Sequence, residues 1–225
     1  MSNRRQPIDR SRRSGKPASP FAMQEWKPLT LAEPWELTPV TPSSAAEIDL
    51  VAFWMSQAHV KFAMNKDWGR DGWQEEMEFQ FSDNKTRPFL VGQRGERGGY
   101  VELYRVSMDV VADYYDTPER DMGMHGCIGE MEYFGYALPF WIVLIAGVFD
   151  AYPDCTGVIS DPTASNHLVK ALDRNVCAIV DGTEIGEIDL PHKRAALFRF
   201  ERDNFAAAMD RQGGVDAVLR KLANQ

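Results

Sequence analysis

Apolar residues in the first third of the chain recur at helical spacing. The set comprises Ile48, Val51, Ala52 and Met55. Ser44 precedes this set and Glu47 lies three residues later, as in a capping box, so we expect a helix to begin there. A second helix is predicted over Gly72–Phe81. The lead-in that precedes both is rich in proline, with one short strand expected at Trp35–Val40.

Two strand patterns follow, at 88–93 and 100–106, and the turn between them at 94–99 is dense in glycine. Such a turn between two strands predicts an antiparallel hairpin. The next segment, 107–120, is polar and acidic, and we expect it to form a loop beside a functional site.

From residue 123 onward the pattern alternates between strands and helices. The predicted elements are a strand at 123–128, a helix at 137–149, a strand at 157–160, a helix at 166–175, a long strand at 185–200 interrupted at Pro191, and a closing helix at 206–222. Antiparallel strands followed by a strand–helix–strand unit predict an α/β fold, a mixed sheet with helices on both faces.

The charge of the chain is unevenly distributed. The whole chain carries −8, but residues 1–20 carry +5 and the remainder therefore −13. We expect residues 1–20 to be a disordered basic tail and 21–225 to be a single domain. An acidic body argues against a nucleic-acid partner, because binding phosphates needs a concentrated basic face.

The three cysteines, 127, 155 and 177, are odd in number and lie in apolar segments, which is typical of reduced, buried thiols in a cytoplasmic protein. The longest apolar run, Ala137–Phe149, has 13 residues, short of the ~20 that span a bilayer, so we expect a core helix and no membrane insertion. Histidines and cysteines show no metal-ligand spacing, and we predict no metal. The chain is expected to be a monomer or homodimer.

Two residues, one on a predicted strand and one at the end of the next, are candidates for chemistry. His125 lies on a strand of apolar neighbours, and Asp161 follows the next strand directly. The carboxyl ends of parallel strands form the ligand crevice of open α/β sheets, so the two side chains can meet there. Histidine suits proton transfer at neutral pH. The alternatives remain a core histidine and an Asp-Pro turn.

The stretch from Glu132 to Ala137 runs from a strand into a helix, whose first N–H groups can hold a pyrophosphate where small residues allow close approach. Gly135 and Ala137 meet that requirement, although one glycine before a helix is also an ordinary turn. Pro139 suits the first helical turn, where a missing N–H is harmless. Asn166 has the alternative of a helix N-cap.

Together these segments resemble one known family, the GNAT acyltransferases of siderophore biosynthesis, which include aerobactin-type N-hydroxylysine acetyltransferases and the mycobactin lysine acyltransferase. The matching segments are GMHGCIGE at 123–130, EYFG at 132–135, Asp161-Pro162 with Asn166, LPHKRAAL at 190–197, and the helix FWMSQAHV at 53–60. The resemblance covers roughly residues 45–205.

The resemblance implies a GNAT fold with acyl-CoA (acetyl-CoA or longer) bound between two splayed central strands. It implies that His125 and Asp161 are the catalytic pair. The residues it assigns to coenzyme A are Phe134, Gly135, Tyr136, Ala137 and Leu138 for the pyrophosphate and Asn166 for the pantetheine arm. The residues it assigns to the acceptor pocket are Trp54, His192, Lys193 and Arg194, the last three having the alternative of a solvated corner.

The implied reaction is acylation of an N-hydroxylated amine, such as N-hydroxylysine, N-hydroxyornithine or N-hydroxycadaverine, to a hydroxamate. The acidic body suits such a small cationic acceptor. Two departures from the family leave alternatives. The loop continues as Gly135-Tyr136-Ala137-Leu138-Pro139, without the family's further glycines and arginine. Asp173 stands where many GNAT enzymes have a tyrosine that protonates the departing thiolate. The chain is alternatively an acetyltransferase for an ordinary amine, such as an aminoglycoside or lysine, or a non-catalytic GNAT module.

Overall fold

The computed structural model describes residues 14–15, 17–64, 66–116 and 118–224, without the side chains of 62 and 63. Within these ranges seven strands form one sheet: β1 (Trp35–Pro39), β2 (Thr86–Gln93), β3 (Glu96–Arg105), β4 (Asp121–Ile128), β5 (Gly157–Ser160), β6 (Thr183–Leu190) and β7 (Lys193–Glu201). Their order across the sheet is β1-β2-β3-β4-β5-β7-β6. The predicted mixed α/β sheet is confirmed.

Seven α-helices accompany the strands in the described part of the chain: α1 (Ala45–Ser56), α2 (Ala58–Met64), α3 (Gly69–Ser82), α4 (Ala137–Ala151), α5 (His167–Val180), α6 (Arg202–Gln212) and α7 (Val215–Leu222). A 3-10 helix, Met131–Tyr136, runs directly into α4, and the predicted loop at 107–120 contains short 3-10 turns. The strand–helix–strand unit is β4-α4-β5, because β4 and β5 pair in parallel.

Neighbouring residues of the central strands point to opposite faces of the sheet, as the two-residue period of a strand requires. Val91 and Val101 pack with α4 to α7 on one face, whereas Leu90 and Tyr100 pack with α1 and α3 on the other. A third cluster, around Ile159, lies under the 3-10 turns. Helices therefore cover both faces, as the sequence pattern predicts.

The parallel pair β4–β5 is short. Its register runs from Asp121 opposite Gly157 to Met124 opposite Ser160 and then stops. Beyond that point β4 stays paired with β3 as far as Ile128, whereas the chain after β5 follows β7 through the bridge of Thr163 with Ala195. The two central strands therefore diverge, and a cleft opens at their carboxyl ends.

Two sequence predictions about elements and one about a helix cap are wrong, although α1 begins after Ser44 as predicted. The expected long strand at 185–200 is a hairpin of β6 and β7, because the chain reverses at Pro191-His192. The closing helix at 206–222 is two helices, since Gly213 and Gly214 both adopt positive φ angles and interrupt it. The capping box does not form, because the Glu47 carboxylate accepts from the Thr41 N–H and Ser44 makes no side-chain cap.

The N-terminal lead-in is anchored to the sheet by a buried arginine. The Arg105 guanidinium lies 4.9 Å from the ring of Phe21, 4.4 Å from that of Trp26 and 4.7 Å from that of Tyr152. Such cation–π contacts are strongest where water is excluded. Packing already begins before residue 21, since Ser19 is buried and hydrogen-bonds Ser107. The rest of the expected basic tail, 1–13 and 16, lies outside the described residues.

One helical run in the described part of the chain, Met131–Ala151, is long and apolar enough to cross a membrane by length and composition. Half of it is buried inside the protein. Ile142, Leu144 and Ile145 are fully enclosed in the main core cluster, where they pack under the sheet. The run therefore serves as the central core helix, as its sequence predicts.

Replacing Leu144 by alanine is expected to lower the free energy of unfolding by about 2–5 kcal/mol, because a fully buried leucine leaves a cavity that the sheet cannot fill. Urea unfolding followed by circular dichroism measures the change. The matched control is Leu168→Ala, at a side chain that is 79% exposed, with an expected change within about 0.5 kcal/mol. Equal effects of the two substitutions would contradict this packing of α4.

Candidate active site

The cleft between the diverging strands contains the histidine and aspartate that the sequence singled out. His125 is the first residue of β4 beyond its pairing with β5, and Asp161 is the first residue after β5. Nε2 of His125 lies 2.9 Å from Oδ1 of Asp161. Two residues 36 positions apart in sequence are thus brought together by the parallel register, and their catalytic roles remain a proposal.

Two further side chains complete the surroundings of Asp161. Lys193, the first residue of β7, places Nζ 2.8 Å from Oδ2 of Asp161. The Tyr104 hydroxyl donates to Oδ1 at 2.9 Å, and the tyrosine ring stacks on His125 with centroids 4.7 Å apart. Asp161 is 3% exposed and accepts from all three neighbours, so its carboxylate is fixed in position.

A second buried carboxylate lies on the other side of His125, and sequence reasoning did not find it. Glu102 of β3 stands opposite His125 in the β3–β4 register, with Oε2 3.6 Å from Nδ1 of the ring. Lys66 donates to both oxygens of Glu102 at 2.9 Å. The Tyr100 hydroxyl and the Gln80 amide also donate to Oε1.

Burial and neighbouring charges together set the ionisation of this cluster. Burial alone would raise the pKa of Asp161, but Lys193 and His125 outweigh it, and the pKa falls below its usual range. Glu102 has its pKa lowered in the same way by Lys66 and His125. For His125, burial lowers the pKa, but Asp161 and Glu102 more than compensate, and the result is a raised pKa.

The tyrosines of the cluster act as hydrogen-bond donors. Burial, together with the adjacent Asp161, raises the pKa of Tyr104 well above its ordinary value. Burial and Glu102 do the same for the pKa of Tyr100. Both phenols therefore keep their protons at neutral pH and hold the carboxylates in their ionised form.

The segment predicted to hold pyrophosphate follows β4 and leads into α4, but its local structure differs from the expected turn. Phe134, Gly135 and Tyr136 end the 3-10 helix, and the N–H of Ala137 is bonded to the Phe134 carbonyl. Part of the expected donor capacity of the α4 start is therefore used internally. A Cβ added at Gly135 would meet nothing within 4 Å, which leaves room for a ligand. Leu138 is half-buried beside this space.

Asn166 and Trp54 occupy structural positions in the protein. The Asn166 side chain caps α5 by accepting from the Val169 N–H at 3.2 Å. Trp54 is fully buried beneath Gly129, and its indole N–H donates to Oε1 of Glu130 at 2.7 Å. Trp54 therefore contacts Glu130, the second residue after β4.

The corner formed by residues 192–194 is divided between the cleft and the surface. Lys193 contacts Asp161, whereas Arg194 pairs with Glu187 across the β6–β7 hairpin and its side chain is 65% exposed. His192 lies in the turn between the two strands. Lys193 and Arg194 therefore face different sides of the corner, which the sequence alone did not show.

The cysteines are not suited to act as nucleophiles, and the described residues form no metal site. Burial raises the pKa of each of the three cysteines to about 12, so the thiols stay protonated at neutral pH. Among the described residues no cluster of metal-ligating side chains occurs. Asp173 is fully buried and accepts from Trp141 and Ser160, and burial raises its pKa to about 7.

This fold and cleft belong to a known class. A family profile described as the acetyltransferase (GNAT) domain matches residues 43–185. The aminoglycoside acetyltransferase AAC(6')-Ib in complex with coenzyme A superposes with a TM-score of 0.66 at 15% identity, covering 77% of this chain and 98% of that chain, which shows the shared fold. The chain belongs to the GNAT acetyltransferase family and is an acyltransferase.

The sequence relatives of the chain indicate which acyltransferases it resembles. Lysine N-acyltransferase MbtK of Mycobacterium sp. (strain MCS) is 30% identical over 174 residues, which span 76% of this chain and 69% of MbtK. The N-hydroxyputrescine acetyltransferase of Acinetobacter baumannii is 22% identical over 165 residues, 71% of this chain and 74% of that protein. The resemblance to siderophore-related acyltransferases is thus confirmed.

Gly123→Ala is expected to displace Tyr104 from its stack on His125, because the new Cβ would lie 1.9 Å from the tyrosine ring. Overpacking of this kind costs about 1–3 kcal/mol of unfolding free energy. We expect a loss of acyl transfer larger than the loss of stability explains, measured by initial rates beside urea unfolding.

The control is Gly15→Ala, where an added Cβ meets nothing within 4 Å and both properties should be unchanged. Full activity of Gly123→Ala would contradict a role for the Tyr104–His125 stack.

Proposed function

We propose that this protein transfers the acyl group of acyl-coenzyme A to the nitrogen of a small N-hydroxylated amine, such as N-hydroxylysine, N-hydroxyornithine or N-hydroxycadaverine. The product is a hydroxamate for siderophore biosynthesis. The observation that carries the proposal is the cluster of His125, Asp161 and Lys193 at the point where β4 and β5 diverge. It is supported by relatives that include a lysine N-acyltransferase and an N-hydroxyputrescine acetyltransferase.

The donor side of the cleft fits a coenzyme A thioester. The open space at Gly135 gives the pyrophosphate room beside the start of α4, with Phe134, Tyr136, Ala137 and Leu138 around it. Asn166 would contact the pantetheine arm through its amide group. The thioester supplies an acyl group that is already activated, so the protein has chiefly to align it with the acceptor nitrogen.

The reaction then needs little acid–base equipment. The acceptor nitrogen attacks the thioester carbonyl, the N–C bond forms, and the C–S bond breaks. The nitrogen loses its N–H proton, and the departing thiolate sulfur receives one, directly or through water. A hydroxylamine nitrogen is mostly unprotonated at neutral pH, whereas a lysine-type amine with pKa ~10.4 is almost entirely charged.

The acceptor side is formed by the groups around Asp161. Lys193 and His192 form the nearer part of the proposed pocket, and Arg194 its outer edge. Trp54 contributes by fixing the Glu130 carboxylate, whose negative charge suits a cationic diamine or amino acid. We further propose a cytoplasmic protein that works as a monomer or homodimer, independent of nucleic acid and membranes.

The second candidate is acylation of an ordinary amine, which the name of the lysine N-acyltransferase relative favours. The two candidates differ in the state of the nucleophile. Rates with an N-hydroxylated acceptor and with its parent amine, compared over pH, separate them. Coenzyme A release and ferric-hydroxamate colour are the two readouts.

We expect the N-hydroxylated acceptor to be preferred and its advantage to grow about tenfold for each unit that the pH falls below 8, because the neutral fraction of the amine shrinks by that factor. The comparison cancels effects of pH on the enzyme itself. Absence of turnover with every N-hydroxylated acceptor would contradict the proposal, and a constant preference for the amine would support the second candidate.

Asp161→Asn is expected to lower kcat/KM by about 100-fold or more, because the neutral amide no longer balances Lys193 and His125. The measurement is steady-state release of coenzyme A, with circular dichroism to establish folding. Asp181→Asn, directly after α5, is the control, since that side chain is 53% exposed and pairs with Arg211, and its rate should match the unsubstituted protein. Unchanged activity of Asp161→Asn would exclude the site.

A further inference from the structure

Both ring nitrogens of His125 face carboxylates, and this arrangement restricts the charge of the ring. Nε2 lies 2.9 Å from Oδ1 of Asp161, and Nδ1 lies 3.6 Å from Oε2 of Glu102. Glu102 approaches from β3 and Asp161 from the segment directly after β5, each toward a different ring nitrogen. Both are almost fully buried, at 3% exposure each.

A neutral imidazole carries a proton on one nitrogen and a lone pair on the other. Whichever tautomer is chosen at His125, the lone pair would point at a buried carboxylate. A doubly protonated ring instead presents an N–H to each side. The low dielectric of a buried site strengthens this preference, because attraction and repulsion are both screened less than in water.

Both carboxylates are themselves held in the ionised state. Lys66 donates to both oxygens of Glu102, and Lys193 lies 2.8 Å from Oδ2 of Asp161. Each carboxylate therefore offers an anionic oxygen to the ring. We infer that Glu102 and Asp161 hold His125 as an imidazolium, and that His125 acts as a positioning residue rather than as the base that takes the acceptor proton.

The charged and titratable groups around the ring come from four parts of the fold. They are Glu102 and Tyr104 on β3, Asp161 after β5, Lys193 on β7, and Lys66 through Glu102. The two carboxylates favour the imidazolium, and Lys193 opposes it. Glu102 is the partner that no motif in the sequence indicated, and it is the residue that makes the site symmetric about His125.

An imidazolium has no lone pair with which to accept a proton. The site then favours an acceptor whose nitrogen is already neutral. This kinetic consequence extends the proposed function and rests on it. Deprotonation of His125 would remove one N–H donor and the positive charge of the ring, and both carboxylates would be held less firmly in position. The enzyme should therefore lose activity as pH rises through the pKa of His125, opposite to the behaviour of a general base.

The experiment is ¹⁵N NMR of the imidazole groups in the full chain, titrated from pH 5 to 9. His125→Gln assigns its resonances, and, should that variant fail to fold, His59→Gln, His167→Gln and His192→Gln assign them by elimination. The expected result is two protonated ring nitrogens on His125 at neutral pH. A single protonated nitrogen at neutral pH would overturn the inference, whatever the protein acylates.

Two substitutions should move this titration in opposite directions. Glu102→Gln removes one carboxylate and should lower the pKa of His125 by about 1–3 units. Lys193→Met removes the opposing cation and should raise the pKa of His125. Glu184→Gln, which changes an exposed carboxylate paired with Arg174, is the matched control and should leave it unchanged. A Glu102→Gln variant with an unshifted His125 titration would overturn the role of Glu102.

The kinetic readout uses the same variants. In the unsubstituted protein the fall of kcat/KM on the alkaline side should coincide with the NMR titration of His125, and Glu102→Gln should shift both by the same amount. A rate that rises through this pKa would identify His125 as a base and refute the inference. NMR reports the charge of His125 even in a folded protein that shows no acyl transfer. Failure of the proposed function is therefore distinguishable from failure of this inference.

Discussion

The divergence of β4 from β5 is the constraint on which the rest of the structure depends. Each strand has a second neighbour, and beyond Met124 and Ser160 each follows that neighbour instead of its parallel partner. Backbone groups that lose a strand partner need another, and an extended ligand bearing amides can supply it. The divergence thus creates the cleft, exposes its edges, and places His125 and Asp161 at its base.

The second organising feature is the alternation of charge across that base. Lysine, carboxylate, histidine, carboxylate and lysine follow one another through contacts of 2.8 to 3.6 Å. Isolated buried ions are costly, and removing one partner of such a set leaves its neighbour uncompensated. The arrangement is rigid because every charge depends on the next. Rigidity suits a reaction in which aligning the thioester with a neutral nucleophile is the main task.

The sequence predicted the parts of this site that depend on local pattern. His125 lies on one predicted strand and Asp161 directly after the next, and the two were expected to meet because parallel strands present their carboxyl ends to one crevice. Glu102 could not be found in this way, since it looks like any residue of a half-buried strand until the β3–β4 register sets it opposite His125. Lys66 lies 36 residues before Glu102 and between helices, and nothing near it in sequence signals its partner. The 192–194 corner was located but not oriented, because a two-residue reversal decides which side chain faces inward.

Hydrogen–deuterium exchange of the full chain, with and without acetyl-coenzyme A, tests most directly whether the diverging strands form the donor site. We expect coenzyme A to slow amide exchange at 125–128 on the free edge of β4, after β5 around 162–166, and at 131–138, where the chain enters α4. Exchange at the far end of β4, where it is fully paired, should not change. Protection confined to other surfaces, or no protection at saturating concentration, would contradict the central claim.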